Sequence, residues 1–409
     1  MDFDDTPEQA DFRAEARAFL EANAERKEPG KTFAVKYGQE GLVDAAKPWQ
    51  RKKFDAGFAG IMWPKEYGGR GGTQLEQVIY NQEEMQYLTP RGVFEITQGM
   101  VVPVLLTYGT EDQKQRFIRP ALQGEEIWCQ LFSEPSAGSD LASLRTRAVR
   151  DGDEWVVNGQ KIWTSGAHFA DFGILVTRSD PNVPKHKGLT YFYLDMKSPG
   201  IEARRIKQIS GTSNFNEVFF TDVRIPDSQR LGGVGEGWKV AIATLMNERL
   251  AVGERSAPDF DDILGLARAL ELETGPAIAD SLVRDKLANW YIQMQGVRLT
   301  RFRTVTALAR GDRPGPESSI NKVVNGKKRQ DIAHFALDLM DMAGIVDDEA
   351  TMPMKALFQE GMLSSPRDRI AGGTDEILRN IIAERILGLP QEVRIDKDVA
   401  FNELPGGEK

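Results

Sequence analysis

Cysteine is nearly absent from this 409-residue chain. Cys129 stands alone, so no intramolecular disulfide can form and nothing calls for an oxidising compartment. Beside Trp128, at the start of an expected strand, that thiol reads as a small buried apolar residue. Histidine is scarce too, with three residues, and no Cys/His cluster has metal-ligand spacing. No apolar run is long enough to span a bilayer. The acidic start Met1-Asp2-Phe3-Asp4-Asp5 lacks the basic and apolar regions of a secretory signal. A cytoplasmic protein is expected. An excess of basic charge is also missing: the net charge of −9 argues against a nucleic-acid face. A local Arg/Lys mouth for an anionic ligand remains compatible with that total.

What is present is ordinary globular composition, 41% apolar and 28% charged. The length exceeds what one hydrophobic core usually supports, so two or three domains are expected. Residues 1–125 read as helices: Phe12, Ala16, Phe19 and Leu20 recur at helical spacing, and Thr110 is a candidate cap after Gly109. From 126 to 233 the period changes to two, with short strands at Gly173–Thr177, Leu189–Asp195 and Asn216–Val223. Asn158-Gly159 is the strongest hairpin signal there. Helical periodicity returns over 234–390, and 391–409 is a polar tail, expected to be frayed or to contact a partner. The fold class expected is α+β: an N-terminal helical domain, a middle antiparallel β-domain and a C-terminal four-helix bundle.

Two segments carry the chemistry. Leu131-Phe132-Ser133-Glu134-Pro135-Ser136-Ala137-Gly138-Ser139-Asp140 is a polar turn of small residues, and Gly159-Gln160-Lys161-Ile162-Trp163-Thr164-Ser165 is a strand ending in an aromatic plate. An isoalloxazine ring needs donors to its carbonyls, a hydroxyl near N5 and an aromatic surface on one face. Ser133 with the backbone around Phe132, Ser165 and Trp163 meet those needs in turn. Read separately, the first is a plain surface loop and Trp163 a core residue; together and in this order they point to a flavin. Two other glycine-rich turns do not compete. Gly233-Val234-Gly235-Glu236-Gly237 lacks the full dinucleotide spacing, and Gly68–Gly72 lacks the Gly-Lys-Ser/Thr ending of a phosphate loop.

In order and spacing these segments resemble the acyl-CoA dehydrogenases. The resemblance extends to Pro64-Lys65-Glu66-Tyr67-Gly68-Gly69, Gly109-Thr110-Glu111, Gly235-Glu236-Gly237-Trp238 and Ala371-Gly372-Gly373-Thr374-Asp375-Glu376-Ile377. It implies FAD as cofactor, an acyl-CoA substrate desaturated between its α and β carbons, and an electron-transfer flavoprotein as acceptor. By resemblance Gln130, Phe132, Ser133, Ser139, Trp163, Ser165, Thr374 and Glu376 contact the cofactor, and Ser139 stands near the thioester or the pyrophosphate. Many members place the catalytic carboxylate just before Gly-Thr near the C-terminus, where this chain has Gly372. A smaller group, resembling isovaleryl-CoA and long-chain acyl-CoA dehydrogenases, places it on an earlier helix before an Arg. Asn247-Glu248-Arg249-Leu250 stands at that point, so Glu248 is the expected base.

The local pattern agrees with that choice. On a helix, Ala241, Thr244, Leu245 and Val252 share the side of Glu248, and a carboxylate on a mostly apolar stripe has a raised pKa. An ion pair with Arg249 or Arg255 is the competing structural role. Arg249 reads as a cation shaping the bottom of the site, beside Leu245. Gly372 and Gly373 leave room for a bulky, branched or ring-bearing acyl group, or serve only the turn.

One departure from the family concerns the far end of FAD. Homotetrameric relatives reach a neighbour's cofactor with an Arg-x-x-Phe-Gly segment and a Gln-x-x-Gly-Gly turn. Here Leu272-Glu273-Thr274-Gly275-Pro276 and Asp338-Leu339-Met340-Asp341-Met342-Ala343-Gly344 stand instead. A homodimer or homotetramer is expected, and the alternative is a non-catalytic or half-site subunit that needs a paralogous partner. An acyl-CoA oxidase would need an extra C-terminal domain that this length does not hold.

Overall fold

The computed structural model describes residues 5–28, 41–251, 257–309, 315–394 and 396–405. Eleven helices are named along them: α1 (Pro7–Asn23), α2 (Leu42–Asp55), α3 (Gln74–Glu84), α4 (Val102–Tyr108), α5 (Glu111–Gln123), α6 (Gly237–Ala251), α7 (Phe260–Ala269), α8 (Ser281–Ala309), α9 (Ser318–Leu339), α10 (Leu357–Ser364) and α11 (Asp375–Arg385). Strands β1 (Glu25–Arg26) and β2 (Tyr87–Leu88) pair with each other. The main sheet holds β3 (Trp128–Leu131), β4 (Arg147–Asp151), β5 (Glu154–Ser165), β6 (Phe172–Arg178), β7 (Leu189–Asp195), β8 (Ile201–Ile206) and β9 (Phe215–Pro226). A last pair, β10 (Glu271–Leu272) and β11 (Gly275–Pro276), forms a small hairpin. The mixed helix and sheet class read from the sequence is the one found.

The chain forms two compact units. One contains residues 1–33, 73–89 and 252–391, and the other 34–72, 90–251 and 392–409. In the first, Phe260, Ile263, Leu266, Leu287, Trp290, Ile332, Ala336 and Phe358 make the core that joins α7, α8, α9 and α10. Its helix α1 opens with a capping box in which Thr6 and Gln9 exchange side-chain and backbone bonds. A similar box, Thr73 with Glu76, opens α3. Arg13 and Arg17 of α1 both reach Glu83 of α3, at 3.1 Å each.

The second unit packs helices on a seven-stranded sheet of order β3-β6-β4-β5-β9-β8, with β7 pairing β6 off that path. All its pairs are antiparallel except β3 with β6 and a single residue pair of β4 with β6. One core lies between Val101–Leu105, Phe117–Leu122, Trp128, Tyr191 and Val240–Ala241, which joins α4, α5 and α6 to β3 and β7. A second core, Trp155, Val157, Phe192, Val218 and Ile225 among others, fills the inside of the sheet. Thr110 caps α5 as expected, its hydroxyl accepting from Gln113 N.

Asn158-Gly159 is not a hairpin turn. Strand β5 runs straight through it, and the pairing with β9 slips between Val157 and Gly159. The real hairpin is at Asp151–Glu154, where Gly152 takes φ 62°. Both sites need glycine, for different reasons. At Gly159 (φ 149°) an added Cβ would sit 2.6 Å from Thr146 Oγ1 and 2.7 Å from its Cα, so the bulge allows close backbone approach. Asn158 closes the bulge by donating to Asp222 Oδ1 at 3.0 Å and accepting from Asp222 N at 2.9 Å.

Residues 396–405 do not fray: they lie in the same unit as the sheet, and Phe401 is buried there.

Candidate active site

The two segments singled out in the sequence are tied to each other directly. Ile162 N donates to Ser133 O at 2.8 Å, and Lys161 Nζ donates to Phe132 O at 2.9 Å. Lys161 also pairs with Glu134 Oε1 at 2.8 Å, the two side chains being 0% and 5% exposed. Glu134 accepts from Arg145 N and Thr146 N as well, at 2.6 and 2.9 Å. Burial raises the Glu134 carboxyl, but the Lys161 charge and these hydrogen bonds outweigh it and hold it below its ordinary value. A buried ion pair thus sets the shape of the turn from beneath, while Ser136, Gly138 and Ser139 stay exposed on top.

Trp163 has the local geometry of a ligand wall. Its backbone takes φ 59°, unusual for a large residue, and its side chain is 56% exposed, braced edge-on by Phe215 at 6.0 Å. Next to it Thr164 Oγ1 is buried without a hydrogen-bond partner. Ser165 ends the strand half-buried, opposite Phe215. An exposed indole on a strained backbone, tied through Ile162 to a small-residue turn, fits the planar, polar-edged ring of a flavin. Gln130 and Phe132 lie just before the turn, Phe132 buried edge-on against Tyr191 at 5.8 Å.

Helix α6 enters the same unit through Gly237, where an added Cβ would meet the backbone of Leu189 and Thr190 at 2.7 Å. It packs on β7 and on a π-turn at Thr97–Val101. Thr244 Oγ1 lies 3.0 Å from the hydroxyl of Tyr191 and donates to Val240 O. Leu245 packs partly buried against the core there. Thr97 Oγ1 accepts from Trp128 N at 3.0 Å, and Gln98 Nε2 is buried with no partner. Glu248 and Arg249 lie on the last turn of α6; their side chains, with Val252 and Arg255, are outside the described residues.

The remaining expected contacts stand together in the helical unit. Gly372 and Gly373 take φ 65° and 93° ahead of α11, which Thr374 caps by accepting from Ile377 N at 3.2 Å. Glu376 is exposed in the first turn, beside the buried Asp375, which pairs with Arg369 at 2.7 Å. The structure therefore brings Gln130, Phe132, Ser133, Ser139, Trp163, Ser165 and Leu245 into one unit and groups Gly372, Gly373, Thr374 and Glu376 in the other.

Sequence reading missed Lys161 and Glu134 as a pair, and Arg178 and Lys185 behind the turn. One signal for Lys161 was available: on a half-buried strand it falls on the inward phase shared with Val157. A charged residue at such a position needs a buried partner. Among the described residues no group of three or more His, Cys, Asp or Glu could hold a metal, and no helix is long and apolar enough to cross a membrane.

Comparison with known proteins identifies the class that this fold and site define. The N-terminal domain of acyl-CoA dehydrogenase matches residues 6–125, its middle domain 129–223 and its C-terminal domain 235–387. The chain belongs to the acyl-CoA dehydrogenase family, FAD flavoproteins of lipid catabolism, and is an enzyme of that class. It is 35% identical over 395 residues to acyl-CoA dehydrogenase IpdE1 of Mycobacterium tuberculosis (strain ATCC 25618 / H37Rv), covering 94% of this chain and 98% of that one. It is 38% identical over 352 residues to acyl-CoA dehydrogenase FadE34 of the same organism, covering 85% of this chain but 47% of the relative. The chain thus spans about half the length of FadE34. Among solved structures it is similar to the Tcur3481-Tcur3483 steroid ACAD, with a TM-score of 0.80 and 30% identity over 96% of this chain and 100% of that one.

Proposed function

We propose that the protein desaturates the acyl group of a bulky, ring-bearing acyl-CoA, with Glu248 as the base. Glu248 takes the α-proton, and the electron pair of that C–H bond becomes the new C=C bond as the β-hydrogen departs as hydride. When bound, FAD supplies the acceptor for that hydride. The chain's own residues do the rest. Trp163 and Ser165 hold the ring, with Gln130, Phe132 and Ser133 beside it; Ser139 meets the thioester; Leu245 and Arg249 shape the acyl end; and Thr374 and Glu376 serve the cofactor's far end.

The observation that carries this reading is the placement of α6. Its Val240–Thr244 stretch is fixed in the core against Tyr191, in the same compact unit as the Trp163 wall. The next turn of that helix bears Glu248, whereas the other family position for a base is Gly372. A glycine at position 372 also supports a large acyl group, as does likeness to a protein named a steroid ACAD. Electrons would leave through an electron-transfer flavoprotein. Anaerobic flavin bleaching with a panel of straight, branched and steroid-derived acyl-CoAs, beside Glu248→Gln, tests the reading. Wild type is expected to bleach with ring-bearing thioesters, and the variant to bind FAD without bleaching. Equal bleaching would remove Glu248 from the chemistry.

A second reading has its own support. The segments that would reach a neighbour's FAD are here the β10–β11 hairpin and the turn Asp341–Ile345, with Met342 exposed, and neither offers a cation or a double glycine. The solved relative is named as a pair of proteins, and FadE34 is about twice as long as this chain. A mixed assembly with a paralogue follows from that reading. Native mass spectrometry of the chain alone and co-expressed with a paralogue separates it from a homo-oligomer.

A further inference from the structure

A second stretch of chain holds the turn that carries Ser139. Residues 396–405 are laid along the loop between β6 and β7. Phe401 N donates to Val183 O and Asn402 N to Pro181 O, both at 3.0 Å. Ala400 bridges Pro184, and Asn402 Nδ2 donates to Asn182 Oδ1 at 3.0 Å. Two cations then pass this anchorage on to the turn.

Lys185 is the first. Its ammonium, on a side chain only 10% exposed, lies 2.6 Å from Asp396 and 2.8 Å from Asp140, the residue after Ser139. Burial works against that charge, but the two carboxylates more than offset it and raise the Lys185 pKa. Asp140 in turn accepts from Ser143 Oγ at 2.5 Å.

Arg178 is the second. It is buried, and it donates to the carbonyls of Ala142 and Leu144 on one side and Lys185 on the other. Its Nε has no acceptor, and the ring of Phe401 lies 3.9 Å from the guanidinium carbon. A desolvated guanidinium against an aromatic face is a strong contact that keeps water off the cation. With Phe401 gone, water would compete for the N–H groups that now hold Ala142 and Leu144.

We infer that Asp396–Leu404 is a positioning strap for the reaction. By closing Phe401 on Arg178 and Asp396 on Lys185, it fixes the Asp140–Leu144 end of the turn and so the attitude of Ser139 toward the thioester ligand. The inference rests on the reading of that turn as ligand-binding. Phe401, Asp396, Arg178 and Lys185 are positioning residues.

The test uses the full-chain holoenzyme with Phe401→Ala, Asp396→Asn and the conservative Phe401→Tyr. Amide exchange at Ser143–Thr146 reports the turn itself, and calorimetry with acetyl-CoA, which carries the thioester, reports its use. Flavin absorbance per chain and thermal unfolding show that the holoenzyme is intact. Phe401→Ala should speed exchange and weaken acetyl-CoA about tenfold, the factor that loss of a desolvated cation–π contact implies. Phe401→Tyr should restore both. Asp396, half-buried at the other end of the strap, lies outside the apolar cores, so Asp396→Asn carries the test should Phe401→Ala fail to fold. Unchanged exchange in the folded variants overturns the strap. Faster exchange with unchanged acetyl-CoA binding overturns the reading of Ser139 as a ligand contact and, with it, the strap's part in the reaction, leaving only a fastening of the turn.

Discussion

Lys161 and Glu134 stand 2.8 Å apart inside the β-unit, one within strand β5 and the other in the turn, and neither has more than a trace of exposed surface. The pair joins the two segments on which the flavin assignment depends. Removing one partner leaves the other as an uncompensated buried charge.

Lys161→Met should therefore cost about 3–5 kcal/mol of stability, the range for breaking a buried pair. Lys161→Met with Glu134→Leu should recover much of that loss while flavin content stays low, because Phe132 O and the amides of Arg145 and Thr146 lose the partners that shape the turn. Thermal unfolding and absorbance of the purified variants measure both. A double variant that keeps a full flavin complement would show that the pair is dispensable to the site.

Trp163 should separate binding from folding. Glycine suits φ 59° better than tryptophan does, and the indole is mostly exposed. Trp163→Gly is expected to keep the melting temperature or raise it, while FAD affinity falls about tenfold for the lost ring contact. Fluorescence titration of the apoprotein with FAD gives the constant. Unchanged affinity would dismiss the wall.

Cys129 is sealed in the sheet, and burial pushes its thiol up to about 12. Thiolate is then negligible at neutral pH, so a disulfide-exchange reagent should leave the folded protein unlabelled and modify one thiol per chain after denaturation. Rapid labelling of the native state would contradict the burial.

Asp227 marks an acid limit. Hydrogen bonds from Arg230 and from Trp155 Nε1, at 2.9 and 2.7 Å, bring its carboxyl down to about 2. A carboxyl depressed in the fold stabilises it above the unfolded value near 4, and that contribution drains away as pH falls from there toward the folded value. The melting-temperature gap between wild type and Asp227→Asn should accordingly shrink across that window. A gap constant from neutral pH down through it would assign the stability to packing.

How much of this was legible in the sequence depended on the range of the interaction. Thr110 could be read as a cap because a cap is three residues wide. The two segments of the candidate site could be set side by side from the sequence because side-chain type and order carry that signal, and the structure joins them through Ile162 and Lys161. Asn158-Gly159 misled because glycine serves a tight turn and a close-packed bulge alike. Only the neighbouring Thr146, brought in by strand β4, decides between them. Arg178 and Phe401 were invisible for the same reason: 223 residues separate them, and a polar tail gives no sign that one ring in it covers a buried guanidinium.

The π-turn at Thr97–Val101 holds one residue more than an α-helical turn would, and it packs against the helix that bears Glu248. An extra residue of that kind is reversible in evolution. Loss of a single codon would return the helix to α register and rotate every side chain before the turn by about 100° relative to those after it. Thr97, fixed to Trp128 N, and Gln98, with its idle amide, would be carried round with it. The surface that this turn offers to α6 would thus change by a step in length, with every residue of α6 kept.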